Sequence, residues 1–184
     1  MGADAGEGWQ AWVPTVNTLT PVPVVTGPAA PLPMLEADPV LPVMPQTRTA
    51  RLWVVGAHGG AGESTVAGLA ADWLPSGHVW PDCPVPARCV LTARTSVPGL
   101  LAAQAALRQW AAGGAPVDLV GLVLLADAPG RLPRPLRELS ELVAGGAPRC
   151  WSIPWVEAWR LGEPQVTGDV ARVVRDLRAV IDNE

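Results

Sequence analysis

The chain has 184 residues, 49% of them hydrophobic, and a formal net charge of −4. That length predicts one domain plus a tail, with enough apolar residues to build a core. The acidic balance leaves no basic footprint for direct nucleic-acid binding, and the three cysteines, Cys83, Cys89 and Cys150, have neither metal-ligand nor C-x-x-C spacing.

Residues 1–49 read as a disordered, proline-rich tail. Pro14, Pro21, Pro23, Pro28, Pro31, Pro33, Pro39, Pro42 and Pro45 recur among Val and Thr, and proline removes donors and blocks helix and sheet interiors. Trp9 and Trp12 stand near the start of this tail. They read either as an incidental pair or as a short docking peptide, since disordered segments commonly bind through a few such anchors. The N-terminus carries Asp4 and Glu7 and no apolar core, so no secretory leader is predicted. The longest apolar runs fall short of the roughly 18–20 residues of a membrane span, and a cytoplasmic location is expected.

Residues 50–184 read as the folded domain. A first strand is predicted over Arg51–Val55 and a first helix over Ser64–Leu74, with Val66, Leu69, Ala70 and Trp73 at helical spacing. Residues 75–88 read as an irregular connection. A second strand follows over Cys89–Ala93, then a helix from Pro98 to about Ala112, with Leu101, Ala105, Leu107 and Trp110 as core candidates. Val117–Leu125 is near-continuously apolar, as expected of a parallel strand covered on both faces. A helix beginning at Pro133 or Pro135 runs through Leu136, Leu139 and Leu142 to Gly145-Gly146. A fourth strand is predicted over Arg149–Ile153, a short helix after Pro154 carries Trp155 and Trp159, and a last helix runs from about Asp169 to Ile181 with Val170, Val173, Val174, Leu177 and Ile181 on one face. Alternating strands and helices give an α/β fold, a small parallel sheet of about four strands with flanking helices.

The most informative stretch lies between the first strand and helix: Ala57-His58-Gly59-Gly60-Ala61-Gly62-Glu63-Ser64-Thr65. Strand, glycine-rich loop, helix is the layout of a phosphate-binding loop, G-x-x-x-x-G-K-[ST], in which backbone N–H groups and a lysine hold an anion. Gly62 and Ser64 fall in register, Ala57 takes the first glycine's place, and Glu63 stands where the lysine belongs. Unit charges 4 Å apart interact by about 4 kcal/mol at an effective dielectric near 20, so reversing the sign works strongly against a polyphosphate. A carboxylate in the first turn of a helix is itself favourable by roughly 0.3–1 kcal/mol.

This loop resembles the variant phosphate loop of the ParA/MinD-like partitioning and division-site ATPases, G-K-G-G-x-G-K-[ST], with His58 and Glu63 in place of its two lysines. The stretch Val90–Leu100 is similar to the strand and turn after the family's acidic metal-site strand. Ile153-Pro154-Trp155 through Pro164 is similar to its late segment near the adenine. The resemblance implies a reduced P-loop NTPase-like fold whose natural cofactor is ATP with magnesium. The hydrophobic strand ending in Asp that helps hold the magnesium is missing from the sequence between the first helix and Cys89, which leaves the first strand near an exposed sheet edge. Phosphoryl transfer relies almost entirely on charge stabilisation and metal placement, so the expectation is a pseudo-ATPase adaptor with no catalytic or metal-binding residue. Its expected partner is a protein, such as an active ATPase or a component of a bacterial partitioning, DNA-transfer or secretion system. A sensor that binds a nucleotide or anion without hydrolysing it is the alternative.

Ligands of such sheets sit at the carboxyl ends of the strands, which makes Arg94, Thr95, Asp127 and Trp155 the crevice candidates. Arg94 is expected to neutralise Glu63, to replace the lost cation, or to stand in solvent. Gly62-Glu63-Ser64 also touches the serine-hydrolase elbow G-x-S-x-G, but Val66 replaces the last glycine and no Asp-then-His order follows.

Overall fold

The computed structural model describes residues 41–162, 166 and 168–183. The predicted tail up to residue 40, with Trp9 and Trp12, lies outside the described residues, as do Glu163, Pro164, Gln165 and Thr167.

Five parallel strands form the main sheet, in the order β3-β2-β5-β6-β7. They are β2 (Leu52–Gly56), β3 (Trp73–Gly77), β5 (Ala87–Arg94), β6 (Val117–Leu125) and β7 (Cys150–Ile153). The helices are α1 (Glu63–Ala67), α2 (Val97–Ala111), α3 (Arg134–Ala144), α4 (Glu157–Arg160) and α5 (Gly168–Asn183). Both sheet faces are apolar, as a parallel sheet sandwiched between helices requires. On one face Val55, Leu91, Leu122 and Leu124 pack with Leu100, Ala103 and Leu107 of α2 and Val143 of α3. On the other, Val54, Val90, Val123 and Ile153 pack with Val66 of α1 and with Val170, Val173, Leu177 and Ile181 of α5. The predicted α/β class and the buried stripe of the last helix are therefore correct.

A register shift between Cys89 and Val90 sets Gly121 opposite Val90 in β6. A Cβ at this glycine would lie 2.4 Å from the Arg149 carbonyl oxygen and 2.6 Å from the Trp151 ring. Glycine is what lets β7 and its tryptophan close against β6.

Four expectations need correction. The sheet has a fifth strand, β3, where the sequence reads as the end of a helix and the start of a loop. Helix α1 stops after a single turn, at Ala67, and Trp73 and Leu74 belong to β3. Pro75 lies inside β3, tolerated because this edge strand pairs only with β2 and loses no ladder bond on its open side. As a result β2 is not at an edge. The ordered chain also begins before residue 49: β1 (Val43–Pro45) pairs in parallel with β4 (Trp80–Asp82). Gln109 of α2 anchors this segment. Its side-chain oxygen accepts from Leu41 N–H at 2.9 Å and from Trp80 Nε1 at 3.0 Å, and its amide nitrogen donates to Leu41 O at 2.8 Å. Finally, Leu101 faces solvent, at 49% exposure, while the adjacent Leu100 is buried.

Candidate functional site

The chain passes from β2 out to the edge strand β3 and then returns across β2 to β5, so the sheet order reverses between β2 and β5. The crevice outside the carboxyl ends of those two strands is where a sheet of this kind places a ligand. The glycine-rich loop stands there. Gly60 and Gly62 adopt φ of 76° and 92°, the left-handed conformation that glycine takes at least cost. Gly62 caps α1, and Val66 N–H donates back to its carbonyl at 2.9 Å. Among the described residues, the N–H groups of Gly62, Glu63 and Ser64 have no acceptor. Ser64 and Thr65 are exposed, and Ala57 and Ala61 are buried.

The chain's own side chains tie the walls of this crevice together. The Arg94 N–H donates to His58 Nε2 at 3.1 Å, and His58 Nδ1 lies 2.9 Å from the Gly59 carbonyl oxygen. The two contacts together require the tautomer with its proton on Nδ1. The ring therefore staples the glycine loop to the end of β5. The Arg94 guanidinium adds a second clasp, donating through Nε to Gly60 O at 3.2 Å and through a terminal nitrogen to Ala126 O at 3.0 Å. Arg94 thus ties the loops after β2 and β6 together. Its guanidinium bonds run to carbonyl oxygens, and it is not the partner of Glu63.

Glu63 turns the other way, over the end of β2. Its Oε1 lies 3.9 Å from Nε2 of His78, the residue that follows β3, and its side chain is 15% exposed. His78 Nδ1 stands 3.2 Å from the Gly56 carbonyl oxygen. A Cβ on Gly56 would come within 2.8 Å of His78 Nδ1 and 2.9 Å of Glu63 Oε2, so this glycine is the space in which the acid and the imidazole meet. Sequence reasoning missed His78 and Gly56. The only signal was indirect: Gly77, at φ 74°, marks a tight turn beside a histidine.

The remaining crevice candidates separate into two cavities. Arg94 and Trp155 line a crevice of about 170 Å³ beside Thr65, Trp159 and Arg160. The Arg160 guanidinium carbon stands 5.9 Å from the centre of the Trp155 ring, whose Nε1 donates to Glu157 at 2.6 Å. Thr95 and Asp127 line a larger cleft of about 570 Å³ at the ends of β6 and β7. They are joined by the Asp127 N–H donating to Thr95 Oγ1 at 3.1 Å. Trp151, Trp155 and Trp159 are all half-buried, so none of the three is an open contact surface. Among the described residues no three His, Cys, Asp or Glu side chains gather as metal ligands, and no helix is long and apolar enough to cross a membrane.

A family model described as a family of unknown function, DUF6668, matches residues 50–175. The chain belongs to the DUF6668 family. The match covers the glycine loop, His78, Arg94 and both cavities, and it stops within α5. No curated protein and no solved structure matches this DUF6668 chain.

Proposed function

We propose that this protein is a non-catalytic, ParA/MinD-like pseudo-ATPase that works in the cytoplasm through protein–protein contacts. The observation that carries the reading is the acid in the lysine position at the start of α1, in a loop that the chain's own His58 and Arg94 tie to the ends of β5 and β6. ATP with magnesium does not fit these residues. With Glu63 turned toward His78, no cation from the lysine position reaches the outer phosphates, a loss of up to about 4 kcal/mol for unit charges 4 Å apart at an effective dielectric near 20, close to a thousandfold in affinity. The crevice beside the loop, about 170 Å³, is also smaller than the roughly 300–1,000 Å³ usual for small-molecule sites.

The partner class is a protein: an active ATPase or a component of a partitioning, DNA-transfer or secretion machine. The N-terminal segment with Trp9 and Trp12 supplies the docking element. The second reading, an anion or nucleotide sensor without hydrolysis, is favoured by the loop N–H groups that have no acceptor among the described residues. Affinity capture with the full chain and with a form lacking residues 1–40 tests the adaptor. Partner recovery should fall sharply on truncation; equal recovery from both forms removes the docking role.

A further inference from the structure

A cavity of about 570 Å³ lies away from the glycine loop, at the carboxyl ends of β6 and β7, on the far side of β5 from the reversal point. This volume falls in the range of small-molecule sites. Its floor and one wall are apolar: Leu124, Ala126 and Ile153 from the strand ends, and Leu136 from α3. The chain cannot fill it locally. The loop from Ala126 to Pro133 reads Ala-Asp-Ala-Pro-Gly-Arg-Leu-Pro, with small residues facing the space and prolines fixing the backbone around it. Pro129, Pro133 and Pro154 all stand on its rim, so the cleft is preformed, which lowers the ordering cost of binding.

The charged groups at the mouth are unequal. Asp169 is matched by Arg172, 3.3 Å away on the first turn of α5. Arg131 lines the cleft and has no acidic partner among the described residues. The exposed Asp127 shares Arg131's loop and opposes any ligand with several negative charges. The first turns of α3 and α5 border the same opening, and their dipoles add to the preference for an anionic group.

We propose that this cleft binds a small organic acid: one flat, apolar body seated on Leu124, Ala126 and Ile153, and one carboxylate-type group held by Arg131. Polyphosphates are excluded by the apolar floor and by Asp127. The proposal is independent of the reading of the glycine loop, because the residues it uses lie outside that loop.

Calorimetry on the full chain with indole-3-acetate and its neutral counterpart indole-3-acetamide tests it. The acid should bind one-to-one with a Kd below about 1 mM and at least five-fold more tightly than the amide. Arg131→Gln should abolish that preference while leaving amide binding in place. Ser152→Trp, at an exposed position on the rim, should block both compounds, with Ala128→Trp as a second blocking variant should the first fail to fold. No saturable binding by either compound, equal affinity for acid and amide, or binding that survives both blocking variants would overturn the proposal.

Discussion

Replacing Arg94 with alanine should release the glycine loop. The guanidinium makes two charge-assisted bonds, to Gly60 O at 3.2 Å and Ala126 O at 3.0 Å. Bonds to charged groups contribute roughly 1.5–3 kcal/mol each when well buried. Arg94 is only half-buried, and water replaces it at both carbonyls in the variant, so about 1–2 kcal/mol is the expected loss. That free energy corresponds to a factor of about 5–30 in a local opening equilibrium. Hydrogen exchange at the Ala61 amide, which donates to His58 O at 3.1 Å within the loop, should therefore accelerate about 5–30-fold in Arg94→Ala, while amides in the middle of β6 keep their protection. Arg94→Lys should recover less than half of the effect, because an ammonium lacks the planar fork that reaches two carbonyls at once. Unchanged exchange at Ala61 in the alanine variant would refute the clasp.

Gln109→Ala should detach the β1 segment and destabilise the domain. It strips Leu41 of two bonds and leaves the fully buried Trp80 with an unpaired indole N–H; the expected cost is about 2–3 kcal/mol, a fall in Tm of roughly 5–10 °C, read by circular dichroism. A shift under 2 °C would mean that Gln109 is a bystander. The alkaline limb of stability should trace to Cys89, whose thiol is pushed well above the ordinary 9.0 first by burial and then by Cys83 and Asp118 nearby. A raised thiol pKa means that the unfolded chain releases its proton first. Stability is therefore intact below about pH 8.5 and falls as pH rises beyond it, by up to about 1.4 kcal/mol per pH unit. The chain has neither lysine nor tyrosine, but Cys150, whose thiol burial pushes up to about 11, adds to the same decline. Thermal scans from pH 7.5 to 10 should show a decline that becomes shallower in Cys89→Ala and shallower still when Cys150→Ala is added; parallel declines in wild type and Cys89→Ala would contradict the assignment.

Where the sequence had one strong pattern, the fold was legible. The near-continuous apolarity of Val117–Leu125 gave β6 its bounds, and the spacing of Val170, Val173, Leu177 and Ile181 gave the buried stripe of α5. Misreadings came where two tendencies competed. The alanine-rich run before Trp73 has high helix propensity, yet Gly68 follows a single turn of helix and the chain then enters β3. Proline within an edge strand disguised β3, because the usual exclusion of proline applies only where both sides are paired. In α2, alanines on several faces blurred the phase by one residue, which exposed Leu101 and buried Leu100. At the site, local spacing identified the loop and Arg94, but the partners were set by tertiary structure. Only the β3 excursion places His78 opposite Glu63, and only the β5–β6 pairing brings Ala126 under Arg94.

On the proposed reading, the glycine loop binds no phosphate because Glu63 stands in the lysine position. Isothermal titration of the full chain with ATP and with ADP, each with and without magnesium, tests it most directly. The account predicts no saturable heat below a Kd of about 1 mM; one-to-one binding near 10 μM, about −7 kcal/mol, would contradict it.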